Sequence, residues 1–205
     1  MSRMDDIVKQ AMAKWPNVPH AWGWLGLDAR GNWWLRDAEA QAAGGFASGA
    51  PGARGEMLRH EKLIDFIQRN YAADADGQWY FQNGPQRVYV ELEAAPWVWR
   101  VADAPQWPVS SHTGLAAQVL DTWLDECGRL FLNTDLGFGL VHTMDMGLAA
   151  LAVEAGQWQP RALDFAQMPA RFAYQLKPVP NAPPKTPKTA PKTAPPTPPP
   201  APKPG

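Results

Sequence analysis

Four histidines, one cysteine and a few paired carboxylates are the groups in this 205-residue chain that could do chemistry. No two of His20, His60, His112 and His142 lie within five residues of each other, and His60-Glu61 lacks the second histidine of a zinc-binding H-E-x-x-H helix. His142 and Asp145 are spaced to share one helix face, where they could hold a metal. The pattern instead puts His142 on a strand and Asp145 at a helix N-cap, a position aspartate favours. No metal and no cofactor are therefore expected. Cys127 lies in a turn directly after two acids, Asp125 and Glu126, which would raise its thiol pKa and make it a poor nucleophile. Ser110-Ser111-His112 sets a hydroxyl beside an imidazole, but neighbours on an extended segment point apart, so the stretch reads as a polar linker. Glu91 and Glu93 share a strand face. Such a pair could do acid/base work, but the wet face of an antiparallel strand explains it more simply, with Arg87 and Arg100 placed to pair across strands. Leu136-Gly-Phe-Gly-Leu140 has only two of the three glycines of a phosphate-binding turn.

The aromatics are the stronger anomaly. The chain has 11 Trp, and Trp22, Trp24, Trp33, Trp34, Trp79, Tyr80, Trp97 and Trp99 all fall on strand-like stretches. Consecutive pairs such as Trp33-Trp34 and Trp79-Tyr80 must point to opposite sheet faces. Either both faces are covered, or an aromatic surface is left to meet a partner.

The elements that would position these groups follow a repeated phrase. Asp28-Ala-Arg-Gly31, Asp74-Ala-Asp-Gly77 and Asp125-Glu-Cys-Gly128 are each followed by one polar residue and three bulky ones. Aspartate bonds back to the turn backbone, glycine takes the left-handed conformation, and a strand leaves. The first and third copies have strand-like residues before them and read as hairpins; the second follows a helix. That helix is expected over 56–71, with Met57, Leu63, Ile64, Ile67 and Tyr71 on one stripe. A short helix over 5–15 ends at Pro16, and Met146 to Ala155 forms a third, stopped by Gly156. Residues 38–55, rich in Ala and Gly, read as a flexible loop. Arg87–Glu93, Trp97–Val101, Phe138–Thr143 and Phe172–Leu176 read as strands.

The fold class expected is α+β: antiparallel and β-rich, with two related halves, repeated hairpin motifs and about three helices. The organisation is an N-terminal arm over 1–20, a first half over 21–103, a second half over 104–176 and a tail over 177–205. The tail has 13 of the 22 prolines and five lysines with no acid. It cannot bury apolar area and is expected to be disordered. The whole chain carries −1, so removing a +5 tail leaves the body at −6. An acidic body argues against a nucleic-acid-binding domain. No apolar run approaches the ~20 residues of a membrane span, and no secretory signal is visible, so a cytoplasmic location is expected.

Trp24-Leu-Gly-Leu-Asp-Ala-Arg-Gly-Asn-Trp33, Gly77-Gln-Trp-Tyr-Phe-Gln-Asn-Gly-Pro-Gln-Arg-Val-Tyr-Val-Glu-Leu-Glu93 and Leu132-Asn-Thr-Asp-Leu-Gly-Phe-Gly-Leu-Val-His142 resemble an uncharacterised proteobacterial family of unknown function. The order from His60 to Val101, continued over Arg129–Val141, more distantly resembles another bacterial family of unknown function. That family is described as having repeated β-rich motifs and a signalling role. The resemblance covers residues from about 20 to 176. It implies a repeated-motif α+β fold and supplies no catalytic residues.

Three functions remain open. The first is a non-enzymatic module binding a small molecule or protein at an aromatic groove between the halves, with Trp97, Trp99, Arg100 and His142 contributing. The second is an enzyme using His142 with Asp145 or Asp135. The third is a weak contact of the basic tail with an anionic polymer.

Overall fold

The structure is a computed structural model that describes residues 4–103 and 105–180. The first sheet is built from β1 (Ala21–Leu27), β2 (Trp33–Leu35), β3 (Glu56–Met57), β4 (Tyr71–Ala73), β5 (Trp79–Asn83) and β6 (Gln86–Leu92), in the order β3-β2-β1-β6-β5-β4. The second is built from β7 (Trp97–Val101), β8 (Val109–Ser111), β9 (Ala116–Ala117), β10 (Val119–Leu124), β11 (Leu130–Thr134), β12 (Gly137–Val141) and β13 (Arg161–Ala162), in the order β13-β10-β11-β12-β7-β8-β9.

One strand plan serves both sheets. A three-strand antiparallel meander starts at the centre and runs outward; a second starts at the edge and runs inward. The two meet through a parallel pair, β1 with β6 in one sheet and β7 with β12 in the other. A third parallel pair adds β13 beside β10. The sheets are thus mixed, which corrects the antiparallel expectation. Side-chain alternation reports which face a residue takes and says nothing about strand direction. Direction is set by which meander ends meet.

All three Asp-x-x-Gly copies form the same turn. Asp28 Oδ1 accepts the amides of Arg30 and Asn32, Asp74 Oδ1 those of Asp76 and Gln78, and Asp125 Oδ1 those of Cys127 and Arg129, all at 2.8–3.0 Å. Gly31, Gly77 and Gly128 follow with φ of +81°, +75° and +74°, where a side chain would be strained. The second copy is a hairpin like the others, because β4 precedes it. A fourth turn is built on Ser111. Its Oγ accepts the amides of Thr113 and Leu115, and Gly114 has φ +81°. The expected polar linker is therefore a hairpin joining β8 and β9, with serine in the role of aspartate.

Among the described residues five short α-helices appear where about three were expected: α1 (Asp6–Lys14), α2 (Ala38–Ala43), α3 (Glu61–Arg69), α4 (Met146–Glu154) and α5 (Met168–Arg171). The helix expected over 56–71 begins at Glu61, capped by His60, whose Nδ1 accepts the Leu63 amide at 3.2 Å. Glu56 and Met57 pair with β2 instead. Phe172–Leu176 forms no strand; one bond from the Leu92 amide to Leu176 O ties it to β6.

The expected flexible loop over 38–55 is clamped. Buried Arg36, only 2% exposed, bonds Glu91 Oε1 at 2.6 Å and the carbonyls of Gly23, Ala40, Gly44 and Ala53. Glu91 Oε2 accepts the Phe46 amide at 3.0 Å. Glu93 pairs with Arg54 and accepts the Ala29 amide. Glu91 and Glu93 therefore do not stand on a wet face, and their partners are neither Arg87 nor Arg100. The segment over 38–55 covers that face.

One apolar core joins the sheets, with Leu25, Trp33, Tyr71 and Val90 from the first and Trp97, Trp99, Phe131 and Leu140 from the second. Among the described residues no helix is long and apolar enough to cross a membrane. Residues 181–205, most of the proline-rich tail, lie outside the described residues.

Candidate functional site

Trp97 and Trp99 point into the core. The Trp97 indole donates to Leu136 O at 3.0 Å and the Trp99 indole to Leu132 O at 3.2 Å. Each ring leans over β12, where Gly139 pairs with Trp97 and Val141 with Trp99. A Cβ on Gly139 would sit 2.4 Å from the Trp99 indole nitrogen and 2.5 Å from Trp97 O, so only glycine fits.

Three of the other expected residues come together at the end of β7. Exposed Arg100 forks onto Asp145, Nε to Oδ2 at 2.6 Å and an Nη to Oδ1 at 3.1 Å. Asp145 Oδ2 also accepts the Val101 amide at 3.1 Å. The Arg100 guanidinium holds the Asp145 carboxyl below its ordinary pKa, and the same bond raises that of Arg100. Asp145 therefore does not cap α4 with its side chain. The capping group is His142, whose Nδ1 accepts the Met144 amide at 3.1 Å, in a 3-10 turn over Thr143–Asp145. Burial and the nearby Arg100 lower the His142 pKa. With Nδ1 accepting and both Asp145 oxygens engaged, this group is tied up in holding the turn. Asp135 lies elsewhere, at the β11–β12 turn, where Oδ1 accepts the Gln118 amide at 2.7 Å.

The concave feature nearest these strands lies where the first half meets the second. It is a cleft of about 600 Å³. Tyr71 and Trp97 form its floor, α3 supplies Asp65, Gln68 and Arg69, and the β8–β9 turn supplies Thr113 and Leu115. The fourth side is Met4, Asp5, Asp6 and Lys9, at the start of α1. Buried Asn70 holds that arm: its Oδ1 accepts the Asp5 amide at 2.9 Å and its Nδ2 donates to Phe66 O at 2.9 Å. Arg69 pairs with Asp5 across the rim. Tyr71 OH donates to Pro96 O at 3.1 Å, and burial pushes its pKa well up, so it stays a neutral donor.

His112 stands behind this floor, among the rings of Trp33, Tyr71 and Trp97 at centroid distances of 5.7–6.0 Å. Its Nδ1 accepts the Val98 amide at 3.2 Å, so Nε2 carries the hydrogen. Nε2 is enclosed and has no partner among the described residues. Burial depresses the imidazole pKa to about 3, which keeps it neutral. Gln68 Nε2 donates to His112 O at 3.1 Å and ties α3 to the turn. The sequence signal that could have placed His112 in a turn behind the cleft was Ser111-His112-Thr113-Gly114, a Ser-x-x-Gly counterpart of the Asp-x-x-Gly phrase.

The carboxylates and thiol of Asp125, Glu126 and Cys127 lie within 4.8 Å of one another. Their oxygens already have structural work. Asp125 holds its own turn and Arg129 Nε, and Glu126 Oε2 accepts the Phe165 amide at 2.8 Å.

Comparison with known proteins gives two findings. The model of the family DUF2944, described as "Protein of unknown function (DUF2946)", matches residues 4–183. The crystal structure of a DUF1285 family protein from Silicibacter pomeroyi DSS-3 is similar over 65% of this chain and 71% of its own, at 12% identity and a TM-score of 0.42. No curated protein matches.

Proposed function

The chain belongs to the DUF2944 family of unknown function, and from that premise we propose a non-enzymatic binding module whose site is the cleft between α1, α3 and the β8–β9 turn. One observation carries the reading. A space of about 600 Å³ has an aromatic floor, where Tyr71 and Trp97 meet edge to face, and charged groups of both signs on its rim. That size suits a small ligand, and polar groups around an apolar floor are what orient one. The chemistry favours a flat apolar body with polar substituents, or an aromatic side chain of a protein partner. Arg100, His142 and Asp145 would brace β7 behind the floor.

Free aromatic amino acids and small aromatic amines are suitable probes, followed through the indole N–H resonance of Trp97. Binding should move Trp97, Thr113 and Leu115 together. Leu115→Arg, at an exposed turn position, should abolish the shift and leave the fold intact. Probes that bind while moving only residues outside the cleft would sink the proposal, and so would chemical turnover of a bound probe.

A further inference from the structure

A second groove, of about 460 Å³, lies beside β10. One wall is β10 itself, from Val119 to Thr122; the other is the stretch that leads into β13, with Trp158 and Arg161. β10 sits between β11 and β13, but these neighbours differ in reach. β11 pairs with it from Val119 to Leu124, whereas β13 reaches only Trp123 and Leu124. Among the described residues, the stretch from Val119 to Thr122 therefore has a strand on one side only.

The pairing pattern shows which way this edge points. Alternate residues of an antiparallel strand bond to one neighbour, and those between turn their N–H and C=O the other way. The Asp125 amide bonds Arg129 O at 3.1 Å, so Trp123 and Asp121 bond toward β11, while Leu124 and Thr122 face away from it. Leu124 uses that side, where its carbonyl accepts the Leu163 amide at 2.9 Å. The Thr122 amide lies one step past the end of the β13 pairing, on the groove side. The chain before β13 does not extend the row. Pro160 has no amide to give, and the Gln157 and Trp158 amides bond Ala152 O instead, at 3.0 and 3.2 Å. Two side chains of the groove also lack a mate. Leu120 is 60% exposed, at an irregularity in the β10–β11 register. Trp158 is only 4% exposed, yet its indole N–H meets no acceptor among the described residues.

We propose that this groove is a strand-addition site, and that its occupant is an extended, uncharged peptide segment of a partner protein. Only a second extended backbone offers the alternating carbonyls and amides that an open strand edge takes. The added segment would lie in the row that β13 begins. An apolar side chain on it would cover Leu120, and one of its carbonyls would accept the Trp158 indole. Asp121 and Arg161 pair with each other, so the groove has no spare charge for a charged segment to answer. This inference is independent of the cleft proposed above.

Main-chain bonds supply the affinity in strand addition, so a generic probe serves. The probe is a blocked heptapeptide of alternating threonine and valine, titrated into the full-length chain and followed by amide and indole N–H resonances. A second probe has the same sequence with every amide N-methylated. The first probe should move the Leu120 and Thr122 amides and the Trp158 indole together and leave the Trp97 indole in place. The N-methylated probe should bind about tenfold more weakly, or less still, because its backbone can no longer donate. Leu120→Lys, at an exposed position, should abolish the shifts and keep the fold, since a lysine on an open edge blocks pairing. Thr122 and Trp158 resonances that stay in place at millimolar probe would overturn the proposal. Equal binding of the two probes would also overturn it, because the contact would then be made by side chains alone. So would movement of the same resonances on concentrating the protein without peptide, since the edge would then be taken by a second copy.

Discussion

The first sheet, β1 to β6, and the second, where β13 is added to β7–β12, share one order of meanders and are covered by two different devices. Over the first lies a segment, 38–55, with few long apolar side chains. It is held by a buried ion pair, Arg36 with Glu91, and by the carbonyls that Arg36 gathers. The second half instead adds apolar helices after its last meander, and Ala149, Ala152 and Met168 join the core from them. The connections differ as well. In the first half, α3 stands between the meanders; in the second, Gln118 alone separates β9 from β10. The β8–β9 turn is tied to α3 by the Gln68–His112 bond, and the candidate cleft opens between these two and the start of α1. A strand plan fixes where backbones pair. What covers a sheet, and what is left open beside it, is decided by the side chains and connections around each sheet.

The sharpest way to break this contrast is at Arg36. Arg36→Met leaves Glu91 buried without its cation, which should cost about 3–5 kcal/mol in urea unfolding, because an uncompensated buried charge is expensive. Trypsin should then cut at Arg54 in the native state, as the 38–55 segment is released. Adding Glu91→Leu should recover much of the loss. A cost of the single change under about 1 kcal/mol would mean that the ion pair is not what holds the cover.

The second half has a buried polar group of the opposite kind, His112, whose Nε2 has no partner among the described residues. Its folded pKa is lowered, so its contribution to stability is complete above the unfolded value of about 6.5 and is lost as pH falls toward about 3. In that window only the unfolded chain takes up the proton, and the loss approaches 1.4 kcal/mol per pH unit. Asp28 is the charged neighbour that opposes the shift. The difference between wild type and His112→Gln, measured by urea unfolding from pH 7 to 4, should show that slope. Parallel pH profiles would show that His112 is not protonated on unfolding.

The smallest effect separates the turns. Asp28 accepts four hydrogen bonds, including the indole of Trp34 and the amide of Asn32. Ser111 Oγ accepts two backbone amides. Asp28→Ala should cost about 2 kcal/mol and Ser111→Ala about 1 kcal/mol by thermal or chemical unfolding. Equal costs would mean that the turn backbone carries the stability in both.

Much of this was readable residue by residue. Three Asp-x-x-Gly turns were legible because the same side-chain geometry recurs wherever the phrase does. The fourth was hidden because serine replaced aspartate. Glu91 and Glu93 were misread because strand alternation cannot reveal a cover contributed by residues 38–55. Arg100 and His142 were expected at an aromatic groove and Asp145 as a partner of His142; that Arg100 and Asp145 pair while His142 holds the turn backbone was not readable. Among the cleft residues only Trp97 was singled out as a binding candidate. The others come from α1, α3 and a turn far apart in sequence.

The sequence alone determined the local chemistry: where turns form, where helices stop, that a basic proline-rich tail follows an acidic body, and that tryptophans alternate across sheet faces. These depend on a residue and its near neighbours, through φ preferences, short-range hydrogen bonds and the two-residue period of a strand. The tertiary structure alone decided strand direction, the burial of Arg36, the cleft at Tyr71 and Trp97, and the placing of Pro180 beside Trp22 and Tyr89. Those depend on contacts between residues 45 to 101 apart in the chain, such as Glu91 with Phe46 and Val179 with Gln78, which no local period encodes.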